Sequence, residues 1–396
     1  MPGFRSNRHV VVTALGITQI LGWGCSFYFP AVLAPPVMRE TGWPLEAVIG
    51  GVTAGLLTAG LVSPHVGRLI ARHGGRPALV ASSLLFAAGM AALALSYNLV
   101  AYFLAWCVIG VAMAAGLYDA VFAALGRLYG QSARGPIATI TLFGGFASTV
   151  CWPLSAWLEH RYGWRGACLA YAGLHLLVAL PLQFVPPVQP AASGSPLSSA
   201  LPEALPSSPV PGRGAFALLA LAMTLFTAIG AIFLVHLMTF LAARGVDPAQ
   251  AIALGTLFGP AQVGARVVER LFGERYHPLW TLAAAALLMA GALMLLAGGL
   301  APYALAIVVF AAGFGISWIA RGTVPLVLFG AQRFPVVMGR LAFPSLIGQA
   351  LAPTLGAVVI AHWGSEAMLT ALAAAALLNL AAVALLWRRR GASAAH

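Results

Sequence analysis

The sequence predicts an all-α membrane protein of twelve transmembrane helices in two pseudo-symmetric six-helix bundles. Three observations carry that expectation. Charged residues make up 8% of the chain and hydrophobic residues 61%, against about 25% charged in soluble domains, so lipid is the solvent for most side chains. Apolar runs of about 20 residues, the length that crosses a bilayer, recur between clusters of Arg, Gly and Pro. The first half of the chain also repeats in the second at an offset of 200 to 204, and several matches at one offset are the mark of an internal duplication.

The runs fall at about 10–36, 45–66, 77–96, 99–125, 136–158 and 166–186, and again at about 215–242, 248–271, 278–299, 303–329, 340–361 and 366–387. The first is too long for the apolar core of a signal peptide and is taken as the first span. Between the sets lies Pro187 to Arg213, with seven prolines and six serines. Such a stretch resists helix formation and has little to bury, so it is expected to be a linker. The expected organisation is residues 1–186 and 214–396 as the two bundles, joined by 187–213.

The repeat is residue by residue. Gly51, Gly55 and Gly60 on helix 2 recur as Gly255, Gly259 and Gly264 on helix 8, Pro44 and Ala47 as Pro248 and Ala251, and Pro153 as Pro353. On helices 4 and 10, Ala112, Tyr118, Ala120 and Gly130 align with Ala312, Trp318, Ala320 and Gly330 at an offset of 200. Small residues let membrane helices approach closely, so both glycine triplets are expected to lie at helix–helix contacts. Gly22, Gly24, Pro30, Pro35 and Pro36 mark helix 1 as one that kinks.

The net charge of +12 comes wholly from Arg, since the chain has no Lys. Arg5, Arg8, Arg68, Arg72, Arg76, Arg127, Arg134, Arg333, Arg340 and Arg388 to Arg390 fall on one side of the predicted spans. Arg39, Arg161, Arg165 and Arg244 fall on the other, three of them near Glu40, Glu159 or Asp247. The positive-inside rule then places both termini in the cytoplasm of an inner (plasma) membrane protein. The Arg residues sit between apolar runs rather than on a solvated basic face, which argues against nucleic-acid binding. Cys25, Cys107, Cys151 and Cys168 lie in apolar runs without ligand spacing, so no metal site or disulfide framework is expected. No phosphate-binding loop and no clustered catalytic groups are present, so neither an ATP-driven pump nor an enzyme is expected, and no cofactor is called for.

The loop Gly67-Arg68-Leu69-Ile70-Ala71-Arg72-His73-Gly74-Gly75-Arg76 resembles the cytoplasmic gate motif of the major facilitator superfamily, through Gly67, Arg72, Gly74 and Arg76. Ala71 stands where that family usually has Asp. The resemblance extends over nearly the whole chain and implies the family's fold, with helices 1, 4, 7 and 10 lining a central cavity. A second resemblance is to its monocarboxylate-porter-like branch. Gly42-Trp43 opens helix 2 after an aromatic-rich helix 1, and Arg266 lies on the inner part of helix 8, where that branch carries a carboxylate-binding Arg. Gln262 stands four residues earlier, where the branch often has an acid. On helix 5, Cys151-Trp152-Pro153 replaces the Gly-Pro pair of an antiporter motif.

Charges inside spans are costly and face a cavity or a partner. Asp119, Arg266 and Arg321 are the candidates. Each lies about 18–20 residues from the outer end of its helix, about 27–30 Å of travel at 1.5 Å per residue. The resemblance implies that all three can meet around one inner cavity. Two guanidiniums suit a carboxylate or another oxyanion, so Arg266 and Arg321 are candidate anion contacts. Gln262, on the same face as Arg266, and Tyr118, Trp318 and Tyr28 are candidate pocket walls. Asp119 and His236 are candidates for proton coupling or gating. Each also has a structural alternative: an Arg266–Glu269 pair, an Asp119–Arg321 bridge, a satisfied buried His, or packed aromatics. The expected function is a secondary transporter moving a small organic anion, a monocarboxylate among them, by alternating access with proton symport, as a monomer. The alternative is an exporter of amphipathic or drug-like compounds by proton antiport.

Overall fold

A computed structural model describes residues 7–188, 213–299 and 302–394. Most of the expected linker lies outside the described residues, as do Arg5 and the side chain of Arg390. Every regular element among the described residues is a helix. Two helical stretches, Leu99–Gln183 and Tyr303–Arg389, run for 85 and 87 residues. A straight helix of that length would span about 130 Å, against about 30 Å of hydrocarbon, so each must turn back more than once. Left-handed glycines supply the turns: Gly130 (φ 57°) and Gly163 (φ 70°) in the first stretch, Gly330 (φ 74°) and Gly364 (φ 84°) in the second. A side chain with a Cβ is strained at those angles, which is why glycine occupies them. The resulting division agrees with twelve spans.

We label these α1 (Arg8–Cys25 and Pro30–Thr41), α2 (Leu45–His73), α3 (Gly75–Ala94), α4 (Leu99–Gly116 and Tyr118–Tyr129), and α5 and α6, which meet at Gly163 within Arg134–Gln183. The second set is α7 (Arg213–Ala242), α8 (Pro248–Thr256 and Phe258–Phe272), α9 (Pro278–Ala297) and α10 to α12, divided within Tyr303–Ala394 at Gly330 and Gly364. The pairs Gly42/Gly245, Gly130/Gly330 and Gly163/Gly364 are all left-handed and follow the offset of the sequence repeat. The duplication is thus written in backbone turns as well as in side chains.

The chain divides into two compact units. The first is Met1–Val210 with Leu328–Phe343, and the second is Pro211–Val327 with Pro344–His396. The segment 328–343, from the second half of the sequence, therefore packs with the first unit.

In the first unit the glycines of α2 meet α4 closely. A Cβ on Gly51 would lie 2.5 Å from Trp106 Nε1 and 2.6 Å from Tyr102 Cε1, and one on Gly55 3.2 Å from the Trp106 carbonyl. The α8 glycines of the second unit depart from expectation. Among the described residues, a Cβ on Gly255 would reach the Met238 methyl, at 2.8 Å, and nothing lies within 4 Å of one on Gly259 or Gly264. Of the most apolar stretch of each helix, 39% is buried for α2 and 11% for α8. The repeated spacing therefore does not carry repeated packing: among the described residues the flexible Met238 covers Gly255, and no ring lies over Gly259 or Gly264 as Trp106 lies over Gly51 and Gly55.

At one end of each unit an arginine ties three chain segments. Arg165, at the start of α6, bonds Glu40 of α1 at 2.7 Å and donates to the carbonyls of Ala94 and of Ser96 (2.9 Å) after α3. Its guanidinium also sits 4.4 Å from the Tyr97 ring and 4.3 Å from the Trp164 ring. Arg244, just after α7, grips Glu366 of α12 with two bonds of 2.9 and 2.7 Å and donates to the Leu296 carbonyl of α9. Asp247, near Arg244 in sequence, instead caps α8 by accepting from the Gln250 N–H at 3.0 Å. The clamps occupy matching places, yet their polarity is exchanged: Glu40 and Arg165 in one unit, Arg244 and Glu366 in the other.

Candidate functional site

In the first unit, α4 is interrupted at Leu117, whose ψ of −170° is extended rather than helical. A break within a span frees backbone groups that lipid cannot satisfy, so a side chain must supply a partner. Gln19 of α1, fully buried, donates its amide to the Gly116 carbonyl at 2.7 Å. Its Oε1 makes no hydrogen bond among the described residues. Tyr118 and Asp119 open the second piece of α4, which puts the Asp119 carboxylate in a first turn, where the helix dipole favours negative charge. Tyr118 is buried against Phe122 (ring centroids 5.2 Å apart) and Trp23 (5.0 Å), and its hydroxyl donates to the Thr141 carbonyl at 3.3 Å. Tyr28 is half-buried, edge-on to Phe27 (5.4 Å) and Trp152 (6.2 Å).

The Gly67–Arg76 segment spans the end of α2. Gly67 meets the 328–343 segment so closely that a Cβ there would lie 2.5 Å from the Pro335 carbonyl and 3.1 Å from the Gly339 Cα. Gly74 ends α2 with φ 83°, its N–H returning to the Ile70 carbonyl at 2.9 Å. Arg127 of α4 donates to the carbonyls of Ile70 (2.7 Å) and Ala71. Cationic capping of a helix C-terminus is favourable, and it uses backbone oxygens next to the position where the family usually places Asp. Arg72 is exposed, and the Arg76 guanidinium lies 4.9 Å from the centre of the Phe184 ring.

In the second unit, Arg266 is 2% exposed and, with Phe258, is one of two buried residues in Phe258–Phe272. Val267, Val268 and Leu271 of the same helix point outward. That inverted pattern, charge inward and aliphatics outward, is what a lipid solvent imposes. Arg266 Nε donates to the Gly315 carbonyl of α10 at 3.0 Å. The approach needs glycine, because a Cβ on Gly315 would lie 2.6 Å from the Gln262 carbonyl and 2.9 Å from its Cγ. Gln262, half-buried, thus sits at the α8–α10 crossing beside Arg266. Glu269 accepts from Thr281 of α9 at 2.5 Å. Arg321 is 3% exposed, with its guanidinium 5.6 Å from the Trp318 ring, itself buried and edge-on to Phe314 at 6.0 Å. His236 holds α7 to α11 through the Pro353 carbonyl at 3.0 Å.

The structure brings Gln262 and Arg266 together on α8, and Trp318 and Arg321 together on α10. It also puts Tyr118 beside Asp119 at the α4 break. The pairing of Gln19 with Gly116 joins residues 97 positions apart, and no local pattern in the sequence signals it.

Helices interrupted inside their spans, glycine turns repeated across two halves and inward-facing arginines have a counterpart in sequence families. The profile described as Major Facilitator Superfamily matches residues 15–333. The chain belongs to the major facilitator superfamily. It is therefore a multi-pass membrane transporter rather than an enzyme. No curated protein matches it in sequence. Among solved structures, the human organic anion transporter MFSD10 (TETRAN) is similar with a TM-score of 0.68 and 17% identity, over 95% of this chain and 99% of that one. The E. coli fucose:proton symporter FucP is similar in two structures. A single-residue variant of it has a TM-score of 0.72 at 14% identity, covering 95% and 98% of the two chains. The second, an outward conformation, has a TM-score of 0.74 at 14% identity with the same coverage. At those identities the likeness is one of fold.

Proposed function

We propose that this superfamily transporter carries a small organic anion, a monocarboxylate falling within that class, by alternating access and proton symport across the inner membrane. Arg266 and Arg321 of the second unit are its anion contacts, and both termini lie in the cytoplasm. The observation that carries this reading is Arg266: a guanidinium turned inward from a helix whose aliphatic side chains face out. Its Nε is committed to the Gly315 carbonyl, which fixes the plane of the fork, and a fixed planar fork suits a carboxylate. Gln262 and Trp318 stand beside the two arginines as polar and aromatic walls. Asp119, with His236 in the second unit, is the proton-coupling or gating group in this account, and Gly67, Arg72, Gly74 and Arg76 form the cytoplasmic gate. MFSD10 is an organic anion transporter and FucP a proton symporter by description, which is in keeping with both halves of the proposal.

A thermal-shift screen of small carboxylates at two pH values tests it. Wild-type protein is expected to be stabilised by at least one of them, more strongly at the lower pH if a proton binds with the anion. Arg321→Gln should lose that carboxylate-dependent stabilisation even where its own unfolding midpoint is lowered. Cationic amphiphiles stabilising the protein where carboxylates do not would reverse the assignment.

A further inference from the structure

A patch outside the proposed substrate site points to a second ligand. At one end of the second unit, residues 387–389 of α12 lie between the starts of α7 and α9. On one side the Trp387 ring meets Trp280 edge-on, centroids 4.5 Å apart, with Trp280 58% exposed. On the other side Arg389 lies against Gly214, close enough that a Cβ there would overlap Nη1 and stand 3.1 Å from Cζ. Arg213 is the residue just before Gly214 in α7, and Arg213, Arg388 and Arg389 are all exposed. None of the three forms an ion pair among the described residues. At the neighbouring end of α8, Arg270 pairs with Glu274 at 3.2 Å and Glu269 is engaged with Thr281, so those acids are already committed.

We propose that Arg213 and Arg389, at the α7–α12 seam, bind the phosphate of an anionic phospholipid headgroup. The tryptophan pair sets the depth. Trp is enriched where hydrocarbon meets headgroups, and Arg389 is two residues beyond Trp387, about 3 Å further along the helix. That puts the guanidinium at headgroup level. Arginine forks match phosphate oxygens, and basic residues next to spans attract anionic lipid. The site does not rest on the transport reading, since it shares none of its residues.

The test uses the full chain purified in detergent. Phosphatidylglycerol or phosphatidylcholine is added, and bound lipid is counted by native mass spectrometry alongside the unfolding midpoint. Wild-type protein is expected to retain phosphatidylglycerol in preference to phosphatidylcholine. Arg213→Gln and Arg389→Gln should each weaken that retention roughly fivefold, the effect of one basic residue at a lipid surface. Arg389→Lys should keep much of it, and Arg68→Gln, exposed on the other unit, should keep all of it. If the double glutamine variant does not fold, the single variants carry the test. Equal phosphatidylglycerol retention in wild type and both variants overturns the proposal. So does inorganic phosphate at millimolar concentration displacing the lipid completely, which would assign the patch to a soluble anion.

Discussion

Helices α2 and α8 carry glycines at identical spacing, but α2 packs on them more closely than α8 does. Against Gly51 and Gly55 lie the indole and backbone of Trp106, whereas Gly259 and Gly264 meet nothing within 4 Å among the described residues. A duplicated sequence pattern thus specifies a permission rather than a contact, and the contact requires a partner side chain as well. The two arginine clamps teach the converse. There the residue types are exchanged between halves, Glu40 with Arg165 against Arg244 with Glu366, and the tie between segments is kept. Position is shared where identity is not.

The sharpest way to break the comparison is to fill both glycine faces. Gly51→Leu drives side-chain atoms into Trp106 and Tyr102, and overpacking of that kind should cost about 3 kcal/mol. It would be seen as lost expression and a lowered unfolding midpoint. Next comes Gln19→Leu, which leaves the Gly116 carbonyl without its donor and should cost about 1–3 kcal/mol. Gln19→Glu should be less damaging only where the carboxyl is protonated and can donate. Third are the clamps. Arg244→Glu should lower stability by about 1 kcal/mol, the upper range for a partly exposed pair, and the exchange Arg244→Glu with Glu366→Arg should restore most of it. If the exchange restores nothing, the bond to the Leu296 carbonyl and not the ion pair is the tie. The smallest effect belongs to Gly259→Leu, which should stabilise by up to about 0.7 kcal/mol through helix propensity alone. A large loss there would mean that α8 is covered by a partner.

Much of the fold was legible because lipid imposes a coarse rule. Runs near 20 residues, arginine clusters between them and an offset of 200 to 204 predicted the spans and their duplication, and Gly130/Gly330 and Gly42/Gly245 proved to be turns that need glycine. The break at Leu117 was not legible, since neither Leu117 nor Tyr118 disfavours helix and the donor that stabilises it lies 97 residues away at Gln19. Arg266 stood out in sequence because a charge in a span is rare, but its bond to Gly315 depends on a crossing that no local pattern encodes. The partner of Arg244 was not legible for the same reason. Asp247 is near in sequence, while Glu366 is near in space.

The claim that most depends on this arrangement is that the buried guanidinium of α8 recognises an anion. Direct titration of purified Arg266→Gln with the carboxylate that best stabilises wild type tests it, with Gly259→Leu on the same helix as the control. Affinity should fall about tenfold or more for Arg266→Gln, the worth of a charge-assisted hydrogen bond, and should hold for the control. A folded Arg266→Gln protein that binds the carboxylate as tightly as wild type would contradict the account.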